Sequence, residues 1–277
     1  MRVRSVFISD VHLGHRGSRA NELLAYLAEV DARNIFVIGD LVDFWALGKS
    51  VCWPQAHQDV LRTLVERARS GVRVVYIPGN HDDAAREFAG MNICGIEVRR
   101  QHVHVTADGR RMLLLHGDEF DAAVRYGRWR VILGSVIYGI ALRINHLVYL
   151  ARRAIGLGEW SLTAWLKRQV AGARAYIALF EEAAAERARR ENCDGVVCGH
   201  IHHAAVREID GVLYCNDGDW VESCSSLVEG MNGKLSLVYW SDLRVAARAS
   251  SRIALDPIRN VAGVAQPIPQ IRSANSR

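Results

Sequence analysis

Five apolar runs in this 277-residue chain each end in side chains that can hold a metal ion or carry a proton. "SVFISDVH" ends in Asp10 and His12, "NIFVIGDLVD" in Asp40 and Asp43, and "RVVYIPGNHD" in Asn80, His81 and Asp82. "RMLLLHGD" ends in His116 and Asp118, and "GVVCGHIHH" in His200, His202 and His203. A lone strand-end histidine is more often held by a backbone partner than by a metal, and a lone aspartate there more often serves a turn or a cap. Five such ends together are different, because carboxylates clustered in a buried crevice without cations are strongly disfavoured. Imidazoles, carboxylates and one carboxamide, without thiolates, suit Mn, Fe or Zn rather than a structural cysteine site. Seven such ligands are too many for one ion and suit two. Two cations about 3.5–4 Å apart are the usual device for hydrolysing phosphate esters. His81, beside Asn80, is the candidate catalytic acid at the reacting phosphate. Asp82 or another carboxylate would orient it, and Asp43 is expected behind Asp40.

The elements that must position these residues follow from periodicity. "VFIS", "IFVI" and "VVYI" are strand-length apolar runs. Between them, residues 21–30 and 55–70 carry apolar side chains at helical spacing. This alternation predicts an α/β sheet with parallel strands, whose carboxyl-end loops surround one crevice. In extended chain, residues two apart face the same way, so Asp10/His12 and His200/His202 are each expected to aim at one point, with His203 turned elsewhere. Gly39, Gly79, Gly117 and Gly199 allow tight turns and close backbone approach. Asp108-Gly109 and Asp210-Gly211 mark hairpin turns. Later strands are expected in "GVVC", "AAVREI", "GVLYC" and "KLSLVYW". The body is thus expected in residues 1–120 and 191–245, with a helical insertion at 121–190 and a poorly ordered tail at 246–277.

Half of the residues are hydrophobic and 23% are charged, a globular composition with ample material for a core. Six cysteines without a CxxC pair point to a reducing compartment. The first residues lack the apolar region of a secretory signal, and no run approaches the length of a membrane span, so a cytoplasmic protein is expected. The net charge of +5 is uneven: residues 121–190 carry 12 Lys/Arg against 5 Asp/Glu. The apolar run "VILGSVIYGIAL" in this segment has arginines around it, among them Arg125 and Arg128. Such a stretch fits an anionic lipid surface or an acyl-chain cleft, on the inner face of the cytoplasmic membrane, better than nucleic acid, for which interleaved aromatic platforms are missing. The plainer alternative is a buried helical hairpin or an interface between copies.

"DVH", "GDLVD", "GNHD", "HGD" and "GHIH", in this order over residues 5–240, resemble the five sequence blocks of the calcineurin-like metallophosphoesterases. The resemblance implies an α/β (α+β) fold of two mixed β-sheets packed as a sandwich and flanked by helices. It also implies a dinuclear site in which Asp10, His12, Asp40 and His202 hold one ion, Asn80, His116 and His200 hold the other, and Asp40 bridges. "HGDEFD", a helical insertion and then "GHIHHAAVREIDGVLYCNDGDWVES" are similar to the UDP-2,3-diacylglucosamine diphosphatase group. That similarity implies a peripheral membrane enzyme that cleaves a diphosphate to UMP and a diacylated sugar phosphate, with the insertion as a lid over the acyl chains. Two divalent ions, Mn foremost, would be its cofactors, and Asn80, His81, Arg125 and Arg128 would meet the substrate. Characterised members carry arginine where this chain has His81. Arginine grips a diphosphate in a bidentate fashion, whereas histidine can also donate a proton. Alternatives are a soluble phosphodiesterase or phosphatase for small phosphoesters and, less favoured, a non-catalytic scaffold.

Overall fold

The computed structural model describes residues 1–122 and 171–244. Met1–Ser241 form one unit and Asp242–Arg277 a second, of which only residues 242–244 are described. Arg125, Arg128 and the run at 131–142 lie outside the described residues, as does the tail from residue 245.

Among the described residues, twelve strands form two mixed sheets. In the first, β1 (Arg2–Ile8), β2 (Asp31–Ile38), β3 (Arg73–Ile77) and β5 (Ile96–Val98) run parallel in that order. β4 (Asn92–Ile93) closes one edge, and β11 (Ser225–Glu229) and β12 (Leu235–Tyr239) extend the other, all three antiparallel to their neighbours. The second sheet has the order β6 (His102–Val105), β7 (Arg111–Leu114), β8 (Gly195–Cys198), β10 (Val212–Asn216), β9 (Ala205–Ile209). Its β7–β8 and β8–β10 pairs are parallel and its outer pairs antiparallel.

Period-2 alternation decides which face each strand gives to which layer. Phe36 and Ile38 of β2 pack with Met112 and Leu114 of β7 and Val197 of β8 between the sheets. The alternate residues Leu113, Val196, Cys198 and Tyr214 face outward, onto α4 (Ala171–Arg190). That helix buries Phe180, Ala184, Ala185 and Ala188 against them. Helix α4 falls within the expected insertion at 121–190, and it packs one face on the second sheet. Small alanines at helical spacing let α4 approach the sheet closely, and their low hydrophobicity hid the burial. Helices α1 (Ala20–Glu29) and α3 (Gln55–Arg69) cover the first sheet with Leu23, Leu27, Val60 and Leu64.

Both expected hairpins form. In the β9–β10 turn, Asp210 and Gly211 both take positive φ, +47° and +80°, which suits the twist of the flanking strands. Trp220 and Trp240 are buried, and all six cysteines are free thiols.

Candidate active site

The loops after β1, β2, β3, β7 and β8 meet at one end of the sandwich. Backbone bonds continue past the strands: Asp10 N donates to Gly39 O (3.1 Å) and His12 N to Asp40 O (2.9 Å). Across the two sheets, His116 Nδ1 lies 3.0 Å from Ile38 O, and within the second sheet Gly199 N donates to His116 O (3.1 Å).

Asp10 and His12 do not sit in extended chain, as their spacing suggested. Asp10, His12 and Asp40 each have φ of +51°, His200 +68° and His202 +50°. An L-residue in this left-handed region costs roughly 1–2 kcal/mol, and such strain clusters where function requires it. The two pairs converge because a buried Val11 or Ile201 intervenes between two left-handed residues, not because a strand continues.

The resulting cluster is dense. His202 Nε2 lies 3.2 Å and His12 Nε2 3.8 Å from Asp10 Oδ1, and the two imidazole nitrogens are 3.4 Å apart. His116 Nε2 lies 3.3 Å from Asp40 Oδ2 and 3.2 Å from Asn80 Oδ1, and His12 Nε2 is 3.8 Å from the same Asp40 oxygen. Asp10, His12 and His202 form one group of possible ligands, Asp10, Asp40 and His116 a second, and His12, Asp43 and His81 a third. His200 joins differently. Its ring stands edge-on to His116 with centroids 5.1 Å apart, its N–H donates to Asp10 Oδ2 (2.9 Å), and its Nε2 faces Asp121 Oδ2 at 3.1 Å.

These residues fit divalent cations. Asp10 Oδ1 is buried and has no hydrogen-bond partner, although two imidazole nitrogens face it. The Ile38 carbonyl accepts a hydrogen bond from His116 Nδ1, which makes Nε2 the nitrogen that faces inward and binds an ion once its proton is displaced. No side chain could replace Gly79 or Gly199: a Cβ at the first would overlap the Asp40 carboxylate, and at the second the Asp10 carboxylate and Ser9.

Burial opposes charge at His12, Asp40 and His116, yet these three hold each other ionised. Burial pulls the His12 imidazole down, but Asp10, Asp43 and Asp40 push it up to about 10. Burial likewise disfavours charge on His116, and Asp40 above all raises it to about 10. Against burial, His116 holds the Asp40 carboxyl down to about 2. A cation must displace the protons that His12 and His116 carry below that range. Divalent-ion affinity should therefore fall on acidification from about pH 8 to about pH 6, up to roughly tenfold per unit per displaced proton. Chelator competition across that range measures the slope, and a flat profile contradicts it.

Behind the ligands, Asp43 works harder than the sequence showed. Its Oδ2 lies 3.3 Å from His12 Nδ1 and its Oδ1 3.0 Å from His81 Nδ1, while Oδ1 also accepts Ala46 N (2.7 Å) and caps α2 (Phe44–Lys49). Hydrogen bonds from His12, His81 and Ala46 outweigh burial and keep its carboxyl well below the ordinary range. Asp43, not Asp82, thus orients His81. The Asp82 carboxylate is buried and committed to the backbone N–H groups of Asp40, Leu41, Val42 and Gly79, so it shapes the two loops and does not touch the open site. Asp118 accepts Arg86 NH2 at 2.7 Å, and Arg86 also donates to Pro78 O, which ties the loop after β7 to the loop after β3.

The match to known families is decisive at this point. The profile of the calcineurin-like phosphoesterases matches residues 3–204, more than half of the chain. The chain belongs to that family. It is a metal-dependent phosphoester hydrolase. A UDP-2,3-diacylglucosamine hydrolase of Psychromonas ingrahamii is 22% identical over 246 residues, 85% of this chain and 97% of that protein. One from Neisseria gonorrhoeae is 26% identical over 81% of this chain and 92% of its own length. One from Edwardsiella ictaluri is 26% identical over 73% and 77%.

Proposed function

We propose that this phosphoesterase hydrolyses the diphosphate of a UDP-diacylglucosamine-type nucleotide sugar, releasing UMP and a lipid sugar 1-phosphate. The observation that carries the chemistry is the pair of ligand-type groups, Asp10 with His12 and His202 and Asp10 with Asp40 and His116, that share the buried Asp10. The names of relatives that match over most of their length support the substrate. In this reading Asp10, His12, Asp40 and His202 hold one cation, Asn80, His116 and His200 hold the other, and Asp40 lies between them. Manganese suits this set of imidazole, carboxylate and carboxamide. Two such cations supply Lewis-acid polarisation of phosphoryl oxygens and an acidified water.

The protein's own groups do the rest. Asp43 holds His81 Nδ1, and this leaves Nε2, 4.0 Å from Asp40 Oδ2, to donate to a phosphoryl or leaving oxygen. Trp45 lies against the His81 ring with centroids 4.2 Å apart and limits its rotation. Burial of Asp10, Asp40 and His116 excludes bulk water from the floor of the site. The arginine-rimmed apolar stretch between residues 125 and 153 supports peripheral binding to an anionic membrane and contact of Arg125 and Arg128 with the substrate. Among the described residues no helix is long and apolar enough to cross a membrane.

The test is UMP release from UDP-2,3-diacylglucosamine by manganese-loaded enzyme, set against hydrolysis of bis-p-nitrophenyl phosphate. A clear preference for the first, abolished by EDTA, is expected. A preference for the second replaces this reading with a soluble phosphodiesterase. Asp43→Asn should lower kcat by about 10–100-fold, because the amide cannot accept from both imidazoles and the backbone as the carboxylate does. An unchanged kcat would deny Asp43 its role.

A further inference from the structure

The motif "NDGDW" after β10 belongs to none of the five ligand-bearing loops, yet Asp217 reaches the site through Ser9. Ser9 Oγ lies 2.7 Å from Asp10 Oδ2 and 2.6 Å from Asp217 Oδ1, with Gly218 O a third acceptor at 3.2 Å. Ser9, Asp10 and Asp217 are all buried. A hydroxyl has one proton to donate, and here three acceptors surround it. Two ionised carboxylates sharing one serine would leave a buried charge unanswered, so one of the acids must bring a proton of its own.

The surroundings say which. Asp10 faces the imidazoles of His202 and His12 and accepts the N–H of His200. Asp217 has only Ser9 on Oδ1, and its buried Oδ2 has no hydrogen-bond partner. Burial pushes the Asp217 carboxyl well above the usual range, and nearby Asp10 adds to the push. Its backbone is pinned on both sides, with Asp217 N donating to Cys198 O (3.2 Å) and Ser225 Oγ to Asp217 O (2.8 Å). The aim of the side chain is therefore set by β8 and β11.

We propose that Asp217 is a neutral acid that donates to Ser9 Oγ, that Ser9 in turn donates to Asp10 Oδ2, and that this chain is a positioning device that turns Asp10 Oδ1 toward the cations. It rests on the reading of Asp10 as a ligand. Neither residue touches substrate; both act through the orientation of one carboxylate. A neutral partner serves this purpose better than a second anion, which would compete for the same cations without reaching them.

Chelator competition with Mn²⁺ on the full chain tests it. Ser9→Ala and Asp217→Ala should weaken Mn²⁺ binding by about 10–100-fold, whereas Asp217→Asn, whose amide donates to Ser9 Oγ as the acid does, should stay within about threefold of wild type. Infrared difference spectra of wild type against Asp217→Asn should show the carbonyl band of a protonated carboxylic acid. If Asp217→Ala fails to fold, Ser9→Ala with wild-type circular dichroism still decides. Wild-type affinity in Ser9→Ala, equal losses in Asp217→Asn and Asp217→Ala, or no acid band overturns the proposal. A wild-type protein that binds no Mn²⁺ overturns instead the dinuclear reading beneath it.

Discussion

Asp40→Asn is expected to lower metal-dependent turnover by roughly 10³-fold or more, with the fold intact. Asp40 occupies the centre of the cluster: Oδ2 lies within 3.8 Å of both His12 Nε2 and His116 Nε2, and Oδ1 accepts the backbone N–H of His81 at 2.9 Å. Asparagine keeps an oxygen for that N–H but removes the charge that the two flanking imidazoles share. It is also the right probe for the backbone, since Asn tolerates the left-handed conformation that Asp40 adopts, whereas alanine would add strain to the loss of charge. The variant should melt near wild type and bind fewer Mn²⁺ ions. Turnover within tenfold of wild type at saturating Mn²⁺ would remove Asp40 from the centre of the mechanism.

The largest effect on stability is expected far from the chemistry, at Glu229. This carboxylate is wholly buried between the sheets. Its Oε1 accepts Arg4 NH1 (2.6 Å) and Ala107 N (2.7 Å), and its Oε2 accepts Ser5 Oγ (2.5 Å) and lies 2.8 Å from His104 Nε2. Three strands, β1, β6 and β11, are thereby joined through one side chain. Glu229→Ala strands four donors around a void and should cost about 3–5 kcal/mol, seen as a Tm roughly 6–20 °C lower. Against burial, the bonds from His104, Ser5 and Arg4 hold the Glu229 carboxyl down to about 2, below its usual 4.5. A carboxyl depressed in the folded state contributes stability that is complete above the unfolded value and lost as pH falls through the folded one. Wild type should thus lose stability between about pH 4.5 and about pH 2, and Glu229→Ala should lose less over that window. An equal loss in both proteins would show that acid unfolding begins elsewhere.

What the sequence made legible was the periodic part. β1, β2, β3, β7 and β8 are short apolar runs bounded by glycine and polar residues, and their ends carry the residues of the cluster. β11 was not legible, because its five buried residues include Ser225, Ser226 and Glu229, which read as a surface segment until their partners across the sandwich are known. Helix α4 hid its core face behind alanines. At the site, residue types announced the cluster, but spacing misassigned the conformation that brings Asp10 to His12: left-handed backbone leaves no periodic trace. Asp82 sits in the most chemical of the motifs and serves the backbone instead, while Asp43, Ser9 and Asp217 matter through partners 31 to 208 residues away in the chain. Such pairings are made by topology, which no local window contains.

The left-handed residues of the cluster carry a consequence for how this protein changes over generations. Each of Asp10, His12, Asp40, His200 and His202 holds a conformation that glycine would adopt freely. Random drift at these five positions is therefore biased toward sturdier, inert sequences, and only selection for turnover opposes it. A descendant that had stopped hydrolysing anything would betray itself there first, by glycines and asparagines appearing in those places while the sandwich beneath them stayed unaltered.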